Sequence, residues 1–257
     1  MTSKFSQRKE AFVWVWLPEK TEPIVAGRLT QEGERYLFNY GASYLDRQNA
    51  ISIYEPELPL RRGLIEPAAG LSMASCIRDG SPDAWGRRVI INRLVGAKAA
   101  EAETSSITEI SYLLESGSDR IGALDFQTSA TEYVPRLKSG ATYEELIEAA
   151  DRIEKGVPLT PALDQALNHG TSIGGARPKA LIDRGDRKMI AKFSSSSDLY
   201  SVVKAEFIAM KLGAASGLNV APVSMIAAGG KDVLLIDRFD RAQANGGWHR
   251  KAMVSAL

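Results

Sequence analysis

The chain is organised around Ser172-Ile173-Gly174-Gly175-Ala176-Arg177-Pro178-Lys179. Two adjacent glycines after a serine carry no Cβ, so their N–H groups can approach an anion closely. Strand-like runs follow at 180–182 and 188–193, joined by a turn at Arg184-Gly185-Asp186. The second run closes as Ala191-Lys192-Phe193. A lysine between apolar neighbours at a strand end is poorly solvated unless a negative group partners it. Residues 199–215 read as a long helix, stopped by Ser216-Gly217, and Glu206 lies on it. Two more strands, 223–227 and 233–236, flank the turn Gly229-Gly230-Lys231-Asp232.

Glycine loop, hairpin bearing a lysine, helix bearing a carboxylate, second hairpin: this is the element order of a protein-kinase N-lobe. In that lobe the loop covers the ATP phosphates and the lysine holds two of them. The helix carboxylate positions the lysine. The candidates are therefore Ser172, Ile173, Gly174, Gly175 and Ala176 for the loop, Lys192 for the phosphates and Glu206 as its partner. Asp237-Arg238-Phe239 ends the last strand, where an adenine-binding hinge would lie. Taken singly, each feature is ordinary: a Gly-Gly turn before a strand is usually a turn, and a strand lysine usually keeps its ammonium in water.

A competing pattern overlaps the glycines. Gly170-Thr171-Ser172-Ile173-Gly174 matches a nucleophile elbow, and Asp232, Asp237 or Asp240 followed by His249 completes a Ser–Asp–His order. An elbow needs a strand before its serine and a helix after it. Here a helix at 161–167 precedes the serine and a strand follows. A Walker A loop is excluded, because Gly230-Lys231 is followed by Asp232 rather than Ser or Thr.

The rest of the chain reads as support. Strands at 12–17, 24–29 and 35–38 suggest an antiparallel sheet, with Trp14 and Trp16 on one face as core. Ser81-Pro82 reads as a cap and first residue of a helix through Trp85, and Arg87 and Arg88 as either solvated or facing a protein partner. A further helix is expected at 107–115, then a turn and strand at 119–127, then a polar linker at 127–139. Thr142 with Glu145 forms a capping box. The domain division is therefore 1–127 and 128–257.

Composition narrows the classes. The 257 residues are 44% hydrophobic and 25% charged with net charge +1, so neither a disordered chain nor a strongly basic nucleic-acid binder is indicated. Cys76 is the single cysteine, and His169 and His249 are the only histidines, too few for a Cys- or His-based metal centre. Neither a membrane-length apolar run nor an apolar signal core near the N-terminus is present. A bacterial cytoplasmic location is expected.

The chain resembles the HipA family, the kinase toxins of bacterial type II toxin–antitoxin systems. The resemblance is carried by Val13-Trp14-Val15-Trp16-Leu17, Asn39-Tyr40-Gly41, Tyr44-Leu45 and Pro82-Asp83-Ala84-Trp85-Gly86-Arg87-Arg88. It continues through the 172–179 segment, Ala191-Lys192-Phe193, Ala205-Glu206, Gly217-Leu218-Asn219-Val220 and Asp237-Arg238-Phe239-Asp240-Arg241. It implies an α+β fold: an antiparallel-sheet subdomain with helices, then a kinase-like N-lobe, then an all-helical lobe that this sequence lacks. It implies ATP with Mg²⁺ and transfer of the γ-phosphate to a protein serine, with aminoacyl-tRNA synthetases as family targets. It implies a helix-turn-helix antitoxin of the HipB type, and operator DNA contacted through that antitoxin. Ser172 matches the serine that family members autophosphorylate to silence the kinase. The family's catalytic Asp-x-x-x-x-Asn loop and Mg²⁺-binding Asp belong to the lobe not found here, so no catalytic or metal-binding residue is assigned. The polypeptide alone is expected to be inactive. A non-catalytic binding or regulatory subunit of a split kinase is the alternative, and a serine hydrolase using Ser172 the remote one.

Overall fold

The structure, a computed structural model, describes residues 8–95, 107–136, 141–167, 175–195 and 197–255. The first third holds β1 (Glu10–Val15), β2 (Ile24–Glu32), β3 (Arg35–Tyr40), α1 (Ala42–Leu45), α2 (Ser75–Asp79) and α3 (Ala84–Val95). The middle holds α4 (Glu109–Glu115), β4 (Leu124–Gln127), α5 (Tyr143–Glu154) and α6 (Pro161–Leu167). The last third holds β5 (Lys179–Asp183), β6 (Lys188–Phe193), α7 (Val202–Ala215), β7 (Val223–Ala228), β8 (Lys231–Asp237), β9 (Arg241–Ala244) and β10 (Gly247–Arg250). The class is mixed α+β with antiparallel sheets, as expected.

The described residues form two compact units that interleave along the chain. One draws on 8–82, 107–136 and 240–255, the other on 83–95, 141–167, 175–195 and 197–239.

In the first unit the sheet order is β3-β2-β1-β4. Alternation along β1 sends Ala11, Val13 and Val15 into a core with Leu29, Phe38, Ile77 and Phe126. Trp14 and Trp16 are buried as expected, but beside Tyr133, with ring centroids 5.3 and 5.6 Å away, and Arg250 lies over the Trp16 ring. Residues of the polar 127–139 stretch are thus packed in place: Tyr133 Oη donates to Asp125 at 2.9 Å, and Arg136 pairs with the same carboxylate at 2.8 Å. Arg120 is fully buried, 3.0 Å from Asp125, and also donates to the carbonyls of Gly80 and Leu113. Burial pulls the Arg120 guanidinium down to about 10 against the pull of Asp125. Burial works to raise the Asp125 carboxyl, but Arg120 and Arg136 outweigh it and hold the group below its ordinary value.

The hairpin β9–β10 was not anticipated. Asn245-Gly246 is its turn, with Gly246 at φ +88°. Its flanks Arg-Ala-Gln-Ala and Gly-Trp-His-Arg lack the β-branched alternation that marks a strand. Asp240 and Arg241 anchor it: Arg241 bonds Asp119 at 2.8 Å and Asp240 at 2.7 Å, and the Gly122 N–H donates to Asp240 at 2.8 Å.

In the second unit the sheet order is β5-β6-β8-β7. One face, built from Ala180, Met189, Ala191, Phe193, Val233 and Leu235, belongs to a core with Trp85, Val89, Leu146, Ile147 and Leu163. The Thr142–Glu145 capping box is present on α5. α7 contacts β7 and β8. It begins at Val202, three residues later than expected, and leaves Leu199 and Tyr200 exposed before it. Its own Ile208 and Leu212 are exposed as well. α3 also begins late. The Ser81 hydroxyl is taken by Glu109 at 3.0 Å, so Asp83 takes the cap position and its carbonyl accepts the Arg87 N–H at 2.9 Å. Among the described residues no helix is long and apolar enough to cross a membrane.

Candidate functional site

The hairpin β5–β6 fixes the site by its register. Lys179 lies directly opposite Lys192, and Ala180 opposite Ala191. Since the alanines enter the core, strand alternation puts both lysines on the other face of the sheet. Like charges directly opposite on one face repel. The Lys192 ammonium is relieved by Glu206 of α7, 2.5 Å away. Lys179 has no ion pair among the described residues: the residue is 2% exposed and its Nζ has no hydrogen-bond partner among them. Burial, reinforced by Lys192 and Arg88, pushes it down to about 8, with Asp83 and Glu206 opposing. An orphaned buried ammonium costs stability until an anion reaches it.

The glycine turn closes over this ammonium. Gly175 has φ +108°, and a Cβ there would lie 2.5 Å from Lys179 Nζ. Only glycine combines that backbone with that approach. The turn is held from α3 by several bonds. The Gly175 N–H donates to Asp83 Oδ2 at 2.5 Å, and the Trp85 N–H donates to the Gly175 carbonyl at 3.2 Å. Arg88 donates to the Ala176 carbonyl at 2.5 Å, and the indole of Trp85 to the Lys179 carbonyl at 3.0 Å. Trp85 is buried, as its place in a capped helix suggested. Arg88 is engaged within the chain by this bond.

Of the sequence candidates, Gly175, Ala176, Lys192 and Glu206 thus gather around Lys179. Ser172, Ile173 and Gly174 lie outside the described residues. Asp237 lies three positions along β8 from Leu234, the partner of Lys192. Both Asp237 carboxylate oxygens accept from Arg187 at 2.6 Å. Arg238 is buried and Phe239 is 59% exposed. Lys179, Asp83 and Trp85 were not assigned to the site in advance. The spacing Asp-x-x-x-x-Asn occurs at Asp240–Asn245, but Asp240 is buried in its bonds to Arg241 and Gly122 and cannot serve as a base. The elbow reading finds helix α6 before the glycines and strand β5 after them, the reverse of what it needs.

Comparison with known families assigns most of the chain to two domain models. Residues 15–127 match the HipA N-terminal domain and residues 171–257 the HipA-like C-terminal domain. The chain belongs to the HipA family. A solved structure of the Shewanella oneidensis MR-1 toxin–antitoxin system, containing HipA, HipB and operator DNA, has a similar fold, with TM-score 0.56 at 22% identity. The match covers 93% of this chain and 53% of that HipA chain, so this chain spans about half the length of its structural relative. None of the curated proteins compared with it matches. The HipA-like C-terminal match includes the whole glycine turn, both lysines and Glu206.

Proposed function

We propose that this HipA-family chain carries the nucleotide-phosphate site of a serine/threonine-protein kinase toxin. The observation that carries the reading is the pair of opposed lysines, one neutralised by Glu206 and the other buried beneath a glycine turn with no hydrogen-bond partner among the described residues. That arrangement suits a polyphosphate, whose oxygens would satisfy Lys179 Nζ and replace the cross-strand repulsion with attraction. Lys192, oriented by Glu206, would hold a second phosphate oxygen. Asp237, Arg238 and Phe239 are the proposed hinge against the adenine, through backbone groups, since the Asp237 carboxylate is occupied by Arg187. ATP with Mg²⁺ would supply the transferable phosphoryl group. The carboxylates nearest the lysines, Asp83 and Glu206, are engaged by Gly175 and Lys192, so no metal ligand is assigned.

On this reading the chain by itself transfers no phosphate, because the carboxylates at the site among the described residues, Asp83 and Glu206, are both engaged and neither is placed to act as base. Ser172 is the proposed regulatory phosphoacceptor: its phosphate would add roughly −1.5 to −2 charge and compete for the same lysines. A HipB-like helix-turn-helix antitoxin is the proposed partner, since the structural relative is described in complex with HipB and operator DNA. The protein substrate, an aminoacyl-tRNA synthetase in the family, and the cytoplasmic location remain part of this proposal. A non-catalytic subunit of a split kinase would use the same phosphate site. Calorimetry with ATP tests the reading. Saturable binding lost in Lys192→Met supports it, and binding indifferent to that change overturns it.

A further inference from the structure

The carboxylate at the glycine turn is unusual for a phosphate site. Asp83 Oδ2 accepts the Gly175 N–H at 2.5 Å, the bond that an amide in such a turn would offer to a phosphate oxygen. Asp83 is also a negative charge beside the ammonium of Lys179, within the same field as Arg88. Its side chain is exposed at the start of α3 and free to turn toward solvent. The helix would lose little by that rotation, because the Asp83 carbonyl, not its carboxylate, accepts from Arg87.

We propose that Asp83 is an internal phosphate mimic, which occupies the Gly175 amide in the nucleotide-free protein and is displaced by the incoming polyphosphate. This rests on the nucleotide-phosphate reading above and adds its regulation. Without nucleotide, the carboxylate balances part of the Lys179, Lys192 and Arg88 charge and keeps the turn closed over Lys179. With nucleotide, the Gly175 N–H passes from a carboxylate oxygen to a phosphate oxygen, and Asp83 rotates outward. Arg88 and the Trp85 N–H hold carbonyls of the turn rather than its amide, so the exchange leaves them in place. Asp83 therefore lowers the affinity of the site for polyphosphate anions.

The test is titration of the 257-residue chain with sodium tripolyphosphate, comparing wild type with Asp83→Asn and Lys192→Met. Asparagine keeps an acceptor for the amide and caps a helix as well as aspartate does. Removing one unit charge from the edge of the site is expected to tighten tripolyphosphate binding about fivefold at low salt, shrinking as salt rises. Orthophosphate, with less charge, should gain less, because the repulsion relieved scales with the charge of the ligand. Equal or weaker binding by Asp83→Asn, with Lys192→Met still abolishing binding, defeats the proposal and leaves the nucleotide reading intact. Absence of saturable binding in every protein defeats both.

Discussion

Replacing Lys179 by methionine should make the protein more stable and blind to polyphosphate. The residue is 2% exposed, its Nζ has no hydrogen-bond partner among the described residues and its strand neighbour across the ladder is Lys192. Methionine keeps the length of the stem and removes the charge. Relief of an unsatisfied buried polar group is worth about 1–3 kcal/mol, and relief of a like-charge pair adds roughly 0.2–1 kcal/mol. For a chain of this size that is a rise in Tm of roughly 2–16 °C at pH 7. The pH dependence identifies the cause. Lys179 is pushed from its ordinary value of 10.5 to about 8 by burial, so its charge penalises the fold below about pH 8. The penalty disappears as pH rises from about 8 toward 10.5, where the folded protein has already released the proton that the unfolded chain still holds. The stability gained by Lys179→Met should therefore be full at pH 7 and nearly absent at about pH 10. Differential scanning calorimetry at both pH values, with and without tripolyphosphate, reads all of this. Tripolyphosphate should raise the Tm of wild type and leave the variant unmoved. Loss of stability in Lys179→Met at pH 7, or a gain independent of pH, would refute the reasoning.

Other consequences follow from the same geometry. Tripolyphosphate affinity should fall as pH rises through about 8, because the Lys179 ammonium that attracts it is lost; titrations between pH 7 and 9 check the sign. Gly175→Ala places a Cβ 2.5 Å from Lys179 Nζ at a φ of +108°, so it should cost roughly 1–3 kcal/mol and weaken ATP binding, readable by urea unfolding and calorimetry. Asp125→Ala leaves the buried Arg120 without its partner and should cost roughly 3–5 kcal/mol in the same unfolding assay. Because Arg120 and Arg136 hold the Asp125 carboxyl low despite its burial, that pair's contribution should be complete above the ordinary carboxylate value and disappear as pH falls below it.

Much of this was legible in the sequence because local signals and tertiary structure agree. The Thr142–Glu145 box, the Gly229-Gly230 turn with both residues at positive φ, and the apolar runs of β1, β6 and β8 each point to the element found. Two features were hidden for definable reasons. β9 and β10 are held to the loop at 119–122 by the Arg241–Asp119 ion pair and by the Gly122 N–H on Asp240, and such pairing leaves no periodic pattern in the sequence. Lys179 was hidden by register. The turn between β5 and β6 closes between Arg184 and Arg187, one residue longer than the Arg184-Gly185-Asp186 turn read from sequence. A one-residue slip exchanges the faces of a strand, so only the true register brings Lys179 and Lys192 together. Asp83 and Trp85 are 92 and 94 residues from the groups they bond, Gly175 and Lys179, and no local spacing could connect them.

The most direct test of the central claim is a residue-resolved titration of the isotope-labelled chain with ATP, following the amides of Gly175 and Ala176 and the side-chain ammonium signals of Lys179 and Lys192. These four groups should shift together and saturably, with the Lys179 titration midpoint rising from about 8 as the phosphates supply an anionic partner. Shifts confined to other surfaces, or a Lys179 midpoint unmoved at saturating ATP, would contradict it.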